Sequence, residues 1–361
     1  MSQDYLASKA YVQLTTSTLN LGYYKLKMKK IIKWGIVGTA KIAETALIPA
    51  INKSKNSKLV AIGSRKKITA LNFAKKHKIK KIYGSYKKLF EDDDIDVIYN
   101  PLPNHLHVKT TIEACNNKKH VLLEKPITLR ANDVDLIKKT ANKNKTIVKE
   151  AFMVRHHPQW QWIKNYIKLN KIGTINAITS LFSYNNMDPK NIRNVKKFGG
   201  GGLYDIGCYP IVISRYLLEK EPKKVIGDAK FDKKFKTDIL TSAILDFDGI
   251  YSNFIVSTNS TLTQQVFIIG SKKSICIENP FNARPDKNST IIIYEGKSIY
   301  KKENITKIFS KVDQYEKQVT EFSNHLLKNT PISFDLSDSK KNMQVIDSIF
   351  KSIKTKKWVN I

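Results

Sequence analysis

From Ile31 onward, short apolar runs alternate with longer segments whose apolar residues recur every three or four positions. A parallel sheet with crossover helices requires that alternation, because its strands are covered on both faces while each helix buries one stripe. The pattern predicts strands over 31–37, 59–63, 97–99, 120–123 and 146–148. Helices are predicted over 41–53, 68–77, 108–116 and 131–142. This is the order of a doubly wound nucleotide-binding sheet, a Rossmann domain spanning 31–150.

After about Glu150 the period changes. A Trp-rich helical stretch over 159–169 leads into strand-like runs at 175–184, 224–229, 241–247, 250–258, 265–270, 274–278 and 290–293. Residues 151–361 are therefore expected to form an α+β domain on a large, mostly antiparallel sheet, making the chain α/β overall. Two tail helices over 312–327 and 337–353 have one apolar stripe each and suit packing on a domain surface, including back onto the first domain. Residues 1–30 carry no clear period, Met28 stands just before the first strand, and this extension is expected to be disordered.

Composition supports two domains, since 361 residues with 41% hydrophobic content supply two cores. A net charge of +32 alone would suggest a nucleic acid or an anionic membrane as partner. The lysines are spread along the whole chain, however, without a basic helix or nucleic-acid-binding motif, so neither partner is expected. No apolar run reaches the ~20 residues needed to span a bilayer. Cys115, Cys208 and Cys276 are too far apart in sequence for a metal motif or a disulfide framework, which fits a reducing cytoplasm. No metal site is expected.

The chemistry begins at Gly38-Thr39-Ala40-Lys41-Ile42-Ala43, between the first strand and its helix. A dinucleotide needs small residues there, for a tight turn, for close backbone approach to the pyrophosphate and for helix packing, with helix amides facing the anion, and Gly38, Ala40 and Ala43 occupy the three small positions. The second strand ends in Gly63-Ser64-Arg65-Lys66-Lys67, with a cation where NAD-specific sites place an acid for the ribose hydroxyls. NADP is thus expected over NAD. Two further segments end strands where ligands bind such folds: Asn100-Pro101-Leu102-Pro103-Asn104-His105-Leu106-His107, and Glu124-Lys125-Pro126. In the second domain Gly199-Gly200-Gly201-Gly202 precedes Asp205 and Tyr209, whose four-residue spacing puts both on one face if the segment is helical.

With these motifs in order, the chain resembles the glucose-fructose oxidoreductase and inositol dehydrogenase family, most nearly the NADP-dependent branch of D-xylose and dihydrodiol dehydrogenases. Glu150-Ala151-Phe152-Met153, Arg155-His156-His157-Pro158-Gln159 and Asn191-Ile192-Arg193 complete the likeness. The resemblance implies that Lys125 lies beside the nicotinamide, that Glu124 shapes that end of the pocket, and that Leu102, Asn104 and His107 contact the cofactor there. It also implies that Asp205 faces the substrate and that Tyr209 is the acid-base group, where many members carry His. Arg155, His156 and Arg193 are expected to line the sugar pocket.

The expected reaction is hydride transfer between NADP and a sugar or vicinal diol, with Tyr209 moving the hydroxyl proton and the Lys125 ammonium lowering the tyrosine pKa. Rival readings are the same chemistry on another polyol, dihydrodiol, anhydro-sugar or imine, or an NADP-binding protein without catalysis. The second-domain sheet is a candidate surface for a homo-oligomer, a dimer or tetramer.

Overall fold

The structure, a computed structural model, describes residues 31–296, 304–330 and 332–361. The expected disorder of the N-terminal extension concerns residues outside that set. Six strands form the first sheet: β1 (Ile32–Val37), β2 (Ser57–Gly63), β3 (Lys81–Tyr83), β4 (Val97–Asn100), β5 (His120–Leu123) and β6 (Val148–Glu150). Their order is β3-β2-β1-β4-β5-β6, and every pairing is parallel. The chain therefore reverses direction beside β1, opening a crevice beyond the carboxyl ends of β1 and β4. The crossovers are α1 (Ile48–Lys53), α2 (Lys67–His77), α3 (Tyr86–Phe90), α4 (His107–Asn116) and α5 (Asp133–Asn144). A single π-helical turn, Ala43–Leu47, interrupts the helix expected over 41–53.

The second domain begins with α6 (Pro158–Lys168), followed by β7 (Ile175–Asn185), α7 (Cys208–Leu218), β8 (Lys224–Phe231) and β9 (Asp238–Asp246). Next come β10 (Tyr251–Ser257), β11 (Asn259–Gly270), β12 (Ser274–Ile277), β13 (Ser289–Tyr294) and β14 (Asn304–Phe309). The chain ends in α8 (Gln314–Lys328), α9 (Leu336–Thr355) and β15 (Val359–Asn360). The sheet order is β14-β13-β12-β11-β7-β10-β9-β8-β15, antiparallel except where β10 lies beside β7. Strand alternation puts Ile178, Phe182, Phe254, Val256, Val266 and Ile268 on the buried face, in one core with α7 and α9.

Both tail helices return to the first domain. Trp34 of β1, fully buried, donates its indole N–H to Ser323 Oγ of α8 at 3.3 Å and meets Phe322 edge-on. Asp347 of α9 accepts the Ala131 N–H at 2.8 Å, while Ser352 accepts that of Gly227 at 3.0 Å, so one helix is bonded to both domains. β6 begins two residues later than the 146–148 expected, because its buried end is the polar pair Lys149-Glu150. The short β3, α3, β14 and β15, and the buried α7, have no counterpart among the expected elements.

Candidate active site

A cleft of about 1240 Å³ runs from the β1 turn, past the carboxyl ends of β4 and β5, to the glycine-rich segment of the second domain. At one end lie Gly38, Thr39, Ala40, Ile42, Ser64 and Arg65. Gly38 sits at φ +82°, and a Cβ there would stand 2.8 Å from the side chain of Leu102. Only glycine lets the chain turn this closely. Its amide donates to Gly63 O at 2.8 Å, tying the turn to the end of β2. Arg65 reaches the cleft beside Lys66 and faces Tyr86, with no carboxylate among its sequence neighbours. This end fits a dinucleotide phosphate: a backbone turn with no side chain in the way, a helix start and the cations Arg65 and Lys66.

At the other end, Lys125 of the β5 turn meets Asp205, which comes from one π-helical turn, Leu203–Gly207, ahead of α7. The Lys125 ammonium donates to Asp205 Oδ1 at 3.2 Å and to the Asp205 carbonyl. Asp205 Oδ2 accepts from Arg193 Nε at 2.9 Å and from the Tyr184 hydroxyl at 2.6 Å. Burial works against all these charges, but mutual attraction outweighs it. Asp205 is held well below the usual carboxylate range by Arg193, Lys125 and the Tyr184 bond, and Lys125 is raised above an ordinary lysine chiefly by Asp205. Lys125 is therefore an ammonium throughout the neutral range.

Tyr209, 5% exposed, is packed among Phe152, Phe182 and Phe281, and its hydroxyl donates to Met153 Sδ at 3.5 Å. The Lys125 nitrogen lies 4.9 Å from the centre of the ring and is not bonded to the hydroxyl. Burial, reinforced by Cys208, Glu124 and Asp205, pushes the phenol well above its ordinary pKa. This corrects the expected net effect: burial outweighs any lowering by Lys125, whose bonded partner is the carboxylate, and at neutral pH the phenol keeps its proton.

Four other expectations change. His107 is fully buried in α4, its ring nitrogens 2.9 and 2.7 Å from the carbonyls of Pro126 and Leu102, and burial lowers its pKa to about 4. It braces the two turns from behind and does not reach the cleft. Ala43 does not line the cleft as a cofactor contact; buried beneath the β1 turn, its small side chain serves the helix packing that the motif requires. Arg155 lies under the tail, paired with Asp338 at 2.7 Å and stacked on Phe334, away from any sugar pocket. His156 bonds Glu321 at 2.8 Å and lines a separate cavity of about 520 Å³ against α8. Arg193, Asp205, Tyr209, Leu102, Asn104 and Glu124 do line the main cleft. Asn104 also bridges the domains, donating to Gly199 O at 2.8 Å.

Two residues that the sequence did not single out complete the site. Tyr184 lies next to the end of β7, and Tyr315 lies in the first turn of α8, where Asp313 caps the helix by accepting the N–H groups of Tyr315 and Glu316. Half-buried Glu124 accepts the Tyr99 hydroxyl at 2.6 Å, and desolvation raises its carboxyl.

Residues 32–152 match the GFO/IDH/MocA oxidoreductase family, NAD-binding Rossmann fold, and residues 160–276 match the family's C-terminal domain. An uncharacterized oxidoreductase of Rhizobium meliloti is 36% identical across 92% of this chain and 99% of its own length. The chain belongs to the GFO/IDH/MocA family. Other relatives are a D-xylose 1-dehydrogenase (NADP(+)) of Haloferax volcanii, 28% identical over 89% of this chain and 97% of its own, and a trans-1,2-dihydrobenzene-1,2-diol dehydrogenase of Xenopus tropicalis, 32% identical over 73% and 79%. The fold is shared with KijD10, a 3-ketoreductase from Actinomadura kijaniata solved with NADP and TDP-benzene, at a TM-score of 0.84 and 24% identity over 90% of this chain and 98% of that one. The protein is thus an oxidoreductase of a family whose named relatives act on sugars and diols.

Removing the Tyr184 hydroxyl leaves one lone pair of buried Asp205 without its donor, so Tyr184→Phe is expected to cost ~1–3 kcal/mol in urea denaturation. An unchanged midpoint would show that Asp205 does not depend on this bond.

Proposed function

We propose that this protein is an NADP-dependent oxidoreductase that exchanges hydride between the nicotinamide and a sugar, an aldose of the D-xylose kind, or a vicinal diol. The observation that carries the reading is the meeting of Lys125, Asp205 and Tyr209 at the carboxyl end of β5, in the same cleft as the Gly38 turn and Arg65. The relatives named for D-xylose and dihydrodiol oxidation support it.

The β1 turn (Gly38, Thr39, Ala40, Ile42) would hold the pyrophosphate, Ser64 and Arg65 the 2′-phosphate, and Leu102, Asn104, Glu124 and Lys125 the nicotinamide end. When bound, NADP supplies or accepts the hydride. The protein supplies orientation and the proton. In the reductive direction the Tyr209 phenol donates its proton to the substrate oxygen as negative charge builds there, and the Lys125 ammonium steadies both that oxygen and the phenolate left behind. The phenolate recovers its proton from solvent. Asp205 keeps Lys125 charged and orients Arg193 towards the substrate. Because the phenol is protonated at neutral pH, reduction needs no prior ionisation, whereas oxidation speeds up as pH rises.

Three buried free thiols, Cys115, Cys208 and Cys276, suit the reducing cytoplasm. The outer face of the second sheet presents Leu240, Ile244, Tyr251, Ile255 and Ile269, between 38% and 47% exposed, with Ser242 and Asn253 among them. A largely apolar face, bordered by Asp228 and Lys230 of β8, suits isologous packing against a second copy, giving a homo-oligomer.

Purified protein should change nicotinamide absorbance with NADP and a member of an aldose and diol panel, and more weakly with NAD. Arg65→Asp should shift cofactor preference toward NAD by roughly ten- to a hundred-fold, the worth of one charge-assisted contact. Tyr209→Phe should lower kcat by ~10²–10⁴-fold with NADP affinity intact. Equal use of both cofactors by the wild type, or near-normal turnover by Tyr209→Phe, would contradict the respective assignment.

A further inference from the structure

The turn that presents Lys125 is held from behind at three points. Glu124 N–H donates to Asn100 O of β4 at 3.1 Å, the Pro126 carbonyl lies 2.9 Å from His107 Nδ1, and Ile127 N–H donates to Glu150 Oε1 at 2.8 Å. The first two restraints involve groups with no charge to change in the neutral range, a backbone carbonyl and a histidine that burial lowers to about 4. The third is a carboxyl at the end of β6, 6% exposed, on the strand next to the one that carries Lys125.

We propose that Glu150 is a positioning residue: its carboxylate grips the Ile127 amide and so fixes the turn that aims Lys125, making turnover depend on whether Glu150 is ionised. An ionised acceptor binds an N–H about twice as strongly as a neutral one, so protonation loosens this restraint alone. The groups facing Glu150 leave it poised for that change. Burial raises its pKa to about 7 against the opposing pull of the Ser339 hydroxyl of α9, the Ile127 amide and the Arg155 guanidinium, while Asp338 of α9 pushes in the same direction as burial. Cys208 of α7 lies near enough to feel its charge, but that thiol is itself pushed up to about 12 by burial and stays neutral. Arg155 and Asp338 are paired with each other, so neither neutralises Glu150 directly. Glu150 thereby gives a functional place to a residue that the sequence marks only as part of the Glu150-Ala151-Phe152-Met153 segment.

The inference rests on the oxidoreductase reading for its kinetic arm and is independent of it for its structural arm. Glu150→Gln keeps an oxygen that accepts from Ile127 but cannot ionise, and Glu150→Ala removes the acceptor. For the wild type assayed in the reductive direction, where Tyr209 needs no ionisation, kcat should fall roughly five-fold as pH drops through about 7, the worth of one weakened hydrogen bond. Glu150→Gln should lose that acidic limb and run flat near the lower level, with NADP affinity unchanged. Glu150→Ala should turn over more slowly still at every pH. A Glu150→Gln profile that keeps the wild-type limb overturns the proposal.

The second arm needs no turnover. Hydrogen exchange of the peptide containing Ile127 should be slow in the wild type and Glu150→Gln, and fast in Glu150→Ala while β1 and β4 keep their protection. Unchanged Ile127 protection in Glu150→Ala overturns the proposal even if the enzyme is active. A wild type without oxidoreductase activity would contradict the function reading and leave this arm to decide the role of Glu150.

Discussion

Lys125 belongs to the parallel sheet and Asp205 to the second domain, and their charged groups meet 3.2 Å apart with little water around them. Two charges so placed have given up much of their hydration, and only the attraction between them and further donors restores it. Arg193 and Tyr184 supply those donors to Asp205. The two domains must therefore hold one mutual position for this pair to be tolerated. The tail helices make that position firm: α8 is bonded to β1 through Trp34 and Ser323, and α9 holds Ala131 of one domain and Gly227 of the other.

The same constraint gives the cleft its chemistry. Lys125 stays charged because Asp205 stays ionised, and Tyr209 stays neutral because aromatic rings surround it. A fixed cation beside a protonated phenol is an arrangement that favours negative charge on a nearby oxygen. The glycine turn and Arg65 at the opposite end continue the same groove, so the phosphate-fitting turn and the Lys125–Asp205 pair are parts of one surface.

Most of the frame was legible because hydrophobic period survives wherever burial is the sole demand, as in β1, β5 and the strands over 175–185 and 251–257. It failed where function or charge replaced burial. β6 was misplaced because its last residues, Lys149 and Glu150, are polar and buried. Lys125, Asp205 and Tyr209 stood out through motif order, and the structure brings them together. Arg155, His156 and His107 lie in the same motifs but serve the frame: each is buried against a partner distant in sequence, Asp338, Glu321 and the Pro126 carbonyl. Neither Tyr184, at the end of a half-polar strand, nor Tyr315, 190 positions beyond Lys125, carries a local signal. Only the fold brings them to the cleft.

Whether Lys125 and Asp205 act as one unit is tested most directly by a double-mutant cycle on kcat/KM, using Lys125→Met, Asp205→Asn and the combination. If Asp205 acts by keeping Lys125 charged and aimed, its loss matters little once the ammonium is gone, and the double variant should be hardly worse than Lys125→Met alone. Strictly additive losses from the two substitutions would contradict the account and give Asp205 an independent part in the reaction.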